Sequence, residues 1–87
     1  MANRRSLKQT IALVCEDLFT ECVAASLYGQ NKDSAKALIY STAKMHNDFI
    51  RRVSHPEPGM PAKQFFKDLR EKFVAQVSEI ADQINNL

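Results

Sequence analysis

The stretch FFKDLREKFVAQVSEIADQINNL, residues 65–87, decides the fold of this chain. Its large apolar side chains recur at steps of three or four residues, which place them along one face of an α-helix. The narrow row is close to the spacing of a coiled-coil seam, so other helices must cover it. With Phe65 widening its start, the row consists of Phe66, Leu69, Phe73, Val77, Ile80, Ile84 and Leu87.

A sharp break precedes this helix, at the stretch HPEPG, residues 55–59. Two prolines and a glycine in so short a segment end a helix and turn the chain. Pro61 then suits the first turn of a new helix, because an N–H would have no partner there anyway. We therefore predict a helix over about residues 61–86 and a linking segment at residues 55–60.

A second helix is predicted over about residues 32–54, with Asn31 or Asp33 as its N-terminal cap. One face of it is apolar and includes His46. The opposite face combines positive charge with one aromatic ring, a pattern that can follow phosphate groups and stack on a base. That face carries Lys36, Tyr40, Lys44, Asn47 and Arg51.

A first helix is predicted over about residues 6–28. Ser6 and Gln9 match a capping box at its start, and Gly29 stands where a left-handed residue commonly ends a helix. The apolar arc of this helix is about 180° wide, more than two neighbours in a small bundle need to cover. It contains Leu7, Ile11, Val14, Cys15, Leu18, Phe19, Cys22, Val23 and Ala25.

Three helices joined by short links predict an all-α fold, an antiparallel up-down-up three-helix bundle. The 87 residues form a single domain, residues 1–87, in which residues 1–5 are a flexible basic tail. A core of this size leaves a thin stability margin. We therefore expect the chain to dimerise with a second copy, which would extend the bundle into a larger one.

Charge is unevenly distributed, although the net charge is only +2. In an up-down-up bundle, basic residues from all three helices gather at one end, the basic pole. These residues are Arg4, Arg5, Lys8, Arg51, Arg52, Lys63 and Lys67. Acidic residues such as Glu16, Asp17 and Glu21 lie elsewhere. This pole and the basic face of the second helix predict, as an alternative function, a nucleic-acid-binding accessory protein. Its candidate contacts are Arg4, Arg5, Lys8, Lys36, Tyr40, Lys44, Arg51, Arg52, Lys63 and Lys67.

The two cysteines provide a third hypothesis, a thiol redox protein that uses Cys15. Cys15 and Cys22 are seven residues apart, about 10.5 Å along a helix, which is too far for a disulfide or a shared zinc ion. His46 falls level with Cys15 in the folded-back chain, but apolar surroundings keep such a pair neutral. A core histidine bonded to Thr42 or to a backbone carbonyl is the favoured interpretation. We expect no metal, no cofactor and no enzymatic activity.

The start of the chain does not match a secretory signal, because its apolar run, residues 11–15, is too short and two acidic residues follow it. No segment has the roughly 20 apolar residues of a membrane span. We therefore expect a cytoplasmic protein that does not bind membranes.

The function that the pattern favours is a small non-catalytic interaction or scaffolding module that associates with itself. The wide apolar arc of the first helix, and apolar residues just outside it, would pack against a helix of another protein, in a homodimer or with a helical partner. The candidate interface residues are Leu13, Phe19, Val23, Leu27 and Tyr28.

Overall fold

A computed structural model describes residues 4–87 and shows three α-helices: α1 (Arg4–Tyr28), α2 (Lys32–Ser54) and α3 (Ala62–Asn85). Within these residues there is no strand, so the predicted all-α three-helix bundle is confirmed. The predicted bounds of α2 are correct, and those of α3 are within one residue at each end. Pro61 is the residue before α3, and its carbonyl accepts a hydrogen bond from the Phe65 N–H at 2.9 Å.

The start of α1 differs from the prediction. The helix already includes Arg4 and Arg5, so these two residues are not part of a flexible tail. Arginine is a good helix former, and no glycine or proline stands at these positions to end the helix. Ser6 is therefore inside the helix, where its carbonyl accepts a hydrogen bond from the Thr10 hydroxyl at 3.1 Å, and it is not the cap. The rest of the predicted tail, residues 1–3, lies outside the described residues.

One of the two glycines has a different role from the one predicted. Gly29 has no positive φ, so it is not a left-handed cap. It is needed for a close approach, since a Cβ there would lie 2.6 Å from the Ala25 carbonyl oxygen. Gly59, in the link before α3, is the residue with a positive φ, 85°. Asn31 does stand at the N-cap of α2, but its side chain makes no capping hydrogen bond.

The core is formed by the apolar faces of all three helices. Phe49 of α2 is fully buried and meets Phe73 of α3 edge to face, with ring centroids 5.2 Å apart. Thr42, also fully buried, donates a hydrogen bond from its hydroxyl to the Leu38 carbonyl at 2.8 Å, so its polar group is satisfied within its own helix. The buried apolar residues are Leu7, Ile11, Cys15, Leu18, Cys22, Ala35, Leu38, Met45, Phe49, Val53, Leu69, Phe73 and Ile80.

The helices pack unequally, and the molecule is an elongated rod of 47 × 18 × 17 Å. α1 packs most extensively on α2, and α1 and α3 touch least. The up-down-up order of the helices stays a prediction. Two hollows lined by residues of both α2 and α3 support an antiparallel arrangement of these two helices. Leu38, near the start of α2, shares a hollow with Gln83, near the end of α3. Arg52, near the end of α2, shares another with Phe65, near the start of α3.

Candidate interaction surfaces

The outer side of α1 carries large apolar side chains that the described chain leaves largely exposed. Leu13 is 66% exposed and Leu27 is 59% exposed. The two are 14 residues apart, which puts them about 40° from each other around the helix and about 21 Å apart along it. Val23 and Tyr28 are exposed as well, whereas Phe19 is half-buried and packs against the core. Four of the five predicted interface residues therefore face outward.

The total surface area is larger than that of a compact monomer of the same mass, as expected for an elongated rod. The accessible surface is 6167 Å². A compact monomer of 9.9 kDa is expected to expose about 5,200 Å², so the excess is about 1,000 Å². Each partner in a standard protein–protein interface buries about 800 Å². The rod therefore exposes about as much extra surface as one such interface would cover.

Over most of its length α1 carries only negatively charged residues. Residues 9–28 contain Glu16, Asp17 and Glu21, all exposed, and neither lysine nor arginine. Glu16 and Asp17 lie between Leu13 and Leu27 along the outer side of α1, so acidic side chains separate the two exposed leucines.

The outer face of α2 is basic, as predicted, and all five of its residues are exposed. Four of them, Tyr40, Lys44, Asn47 and Arg51, line one open hollow between α2 and α3. Gln76 of α3 and the buried Met45 of α2 also line this hollow. The structure thus brings together the ring and two cations of the predicted stripe. Lys36 lies on the same face but does not line this hollow.

The predicted basic pole is only partly available for ligands. Arg4, Arg5, Lys63 and Lys67 are exposed and Lys8 is half-buried. Arg52 is held by its own helix. Its guanidinium pairs with Asp48 at 3.0 Å and lies 5.0 Å from the centroid of the Phe49 ring. A residue engaged in this way contributes less to anion binding than an unpaired cation does.

Both cysteines are reduced and buried. Burial raises the pKa of Cys15 from 9.0 to about 11. The pKa of Cys22 is also raised, chiefly by burial; the Thr42 hydroxyl beside it partly offsets this, and Glu21 adds to it. A reactive thiol needs a lowered pKa and access to solvent. The environment of Cys15, which is 1% exposed, therefore counts against the thiol redox hypothesis.

His46 is half-buried rather than within the core. Thr42, its predicted partner, uses its hydroxyl proton for the Leu38 carbonyl. Within residues 4–87 no group of three or more histidine, cysteine or acidic side chains is placed to hold a metal ion. Over the same residues no helix is long and apolar enough to cross a membrane.

Two residues of α3 were not predicted from the sequence. Val74 is 56% exposed although it is apolar, and Gln76 faces the hollow beside Tyr40. Both lie next to the apolar row of α3, so a helical projection could have placed them at its edges.

No protein-family model, curated protein or solved structure matches this chain.

Proposed function

We propose that this protein is a small, non-catalytic interaction module that associates with a second copy of itself through the outer side of α1. The observation that carries the proposal is the exposure of Leu13 and Leu27 on the outer side of α1. Single exposed apolar residues are common on monomers, but an aligned set of them marks a contact surface.

Two further observations support self-association, and a third concerns the location of the protein. The surface excess of about 1,000 Å² is close to what one partner buries in a standard interface. α1 contacts α3 least of the three helix pairs, so one flank of α1 is thinly covered. The buried, reduced cysteines fit a reducing compartment, which makes the cytoplasm the proposed location.

The proposed mechanism is the packing of helices against each other, with no catalytic step. A helix from the second copy would insert its side chains between Leu13 and Leu27, with the up-down-up bundle acting as a rigid support. Most of the binding energy would come from apolar surface removed from water. Association should therefore persist at high salt, whereas contacts that rely on exposed charges weaken.

The experiment is the solution mass of the purified chain, measured by light scattering over a range of protein concentrations at low and high salt. We expect a mass of twice 9.9 kDa or more at the higher concentrations in both buffers. A monomer at every concentration would overturn the proposal. A dimer that dissociates in high salt would show that charge, and not the apolar side of α1, joins the copies.

A further inference from the structure

We propose that the hollow between α2 and α3 binds nucleotide units, with the base on Tyr40 and phosphate oxygens on Lys44 and Arg51. The ligand is either single-stranded nucleic acid or a free nucleotide, which share this chemistry. The hollow is formed by residues of α2 and α3, so the inference does not depend on association through α1.

The first argument concerns charge. Over the described residues, 4–87, Arg52 with Asp48 is the one ion pair, and it cancels the acidic side chain that lines the hollow. Lys44 and Arg51 are exposed and take no part in an ion pair among these residues. The hollow therefore presents two uncompensated positive charges, which attract phosphate groups.

The second argument concerns spacing. Tyr40 and Lys44 are four residues apart on α2, so they point in similar directions about 6 Å apart along the helix. Arg51 follows Lys44 after two turns, about 10.5 Å further on. A base stacked on the ring would thus have a cation within one helical turn for its own phosphate. A second cation is available for a later phosphate of the strand.

The third argument distinguishes a nucleotide from other anions. Tyr40 is 72% exposed, so a face of its ring is available for stacking on a base. Two amides, those of Asn47 and Gln76, also line the hollow, and an amide both donates and accepts hydrogen bonds, as base edges require. An acidic peptide would use the two cations but has no need of the ring or the amides.

The test is the binding of a fluorescently labelled oligothymidine by anisotropy over a series of salt concentrations. AMP serves as an unlabelled competitor in a separate arm, and its own binding is measured by isothermal titration calorimetry. We expect Tyr40→Ala to weaken binding roughly 5- to 100-fold, the effect of losing one stacked base. Lys44→Gln and Arg51→Gln should each lower the slope of log affinity against log salt by about 0.7.

Matched controls separate the hollow from general surface effects. Tyr28→Ala removes an exposed tyrosine of the candidate interface on α1, and Arg70→Gln removes an exposed cation from α3. Neither residue lines the hollow, and both variants are compared on an oligothymidine too short to reach two hollows. We expect both variants to bind like the unmodified protein. Displacement by AMP would assign the site to a free nucleotide; oligothymidine binding that AMP leaves unchanged would assign it to the strand.

Three results would overturn the inference. One is the absence of binding to both probes at low salt. Another is an equal loss of affinity in Tyr28→Ala and Tyr40→Ala. The third is binding of a polyglutamate peptide that Tyr40→Ala weakens as much as it weakens oligothymidine binding. A monomeric solution mass would leave the inference standing, because it refutes only association through α1.

Discussion

Replacing Leu13 and Leu27 together by alanine should separate association from folding. Both leucines are exposed, so they contribute little to the fold of one chain. Alanine has the highest helix propensity, so the double variant should keep α1 intact. Surface substitutions of this kind change the free energy of unfolding by about 0.5 kcal/mol or less. Any larger effect on dimerisation must therefore come from the contact between copies.

The expected size of that effect follows from the exposed fractions, 66% for Leu13 and 59% for Leu27. Shortening one such leucine to alanine removes about 80 Å² of coverable apolar area, or about 2 kcal/mol if a partner covers it fully. Half coverage gives about 1 kcal/mol for each side chain. A symmetric dimer contains four of these side chains, so dissociation should become easier by about 4 kcal/mol, on the order of 1,000-fold in Kd.

Sedimentation equilibrium would measure this change, with circular dichroism to confirm that the helices persist. Val74→Ala is the matched control, because Val74 is an aliphatic residue 56% exposed on α3. We expect the control to dimerise like the unmodified chain. A double variant whose Kd stays within a few-fold of the original would refute the assignment of the interface to the outer side of α1. So would a Val74→Ala variant that dissociates equally.

Three further predictions concern the fold. Phe49→Ala removes a fully buried ring packed on Phe73 and should cost about 3–5 kcal/mol in urea unfolding; a cost below 1 kcal/mol would contradict the described core. Gly59→Ala should lower Tm by about 4–8 °C, since alanine at a φ of 85° costs about 1 kcal/mol; an unchanged Tm would mean that the link adopts another conformation. The folded-state pKa of Cys15, about 11, lies above its ordinary value of 9.0, so the stability that the neutral thiol provides is complete below pH 9 and is lost as the pH rises to 11. Between pH 8 and pH 11 the free energy of unfolding in urea should therefore fall by about 2 kcal/mol more for the unmodified protein than for Cys15→Ala. A difference in unfolding free energy between the two proteins that does not change with pH would argue against a buried thiol.

Much of the fold could be predicted because the sequence marks its own helix ends. Residues 55–59 hold two prolines and a glycine, and the bounds of α2 follow directly from such signals. The start of α1 has no comparable signal. Arg4 and Arg5 are as compatible with a helix as with a tail, and a capping-box pattern at Ser6 outweighed their propensity in the prediction.

The candidate surfaces were less predictable because they depend on how the helices are spaced. The wide arc of α1 indicated that some apolar residues would stay uncovered, but it did not indicate which ones. In the structure Phe19 is half-buried, whereas Leu13 and Leu27 are exposed. Which of them α2 and α3 cover depends on the unequal packing of α1 against its neighbours. Gln76 joins the hollow beside Tyr40 only because α3 lies on that flank of α2, and a single-helix projection contains no such information.

The two proposed surfaces would reinforce one another in binding a nucleic-acid strand. Association uses α1, whereas the hollow is lined by α2 and α3, so each dimer would carry two hollows. A strand long enough to reach both would bind its second site at a high effective concentration, which can raise overall affinity 100-fold or more without a new contact. A short oligonucleotide would gain nothing. The leucine double variant should therefore lose affinity for a long strand and retain it for a short one, because each separate chain would still hold an intact hollow.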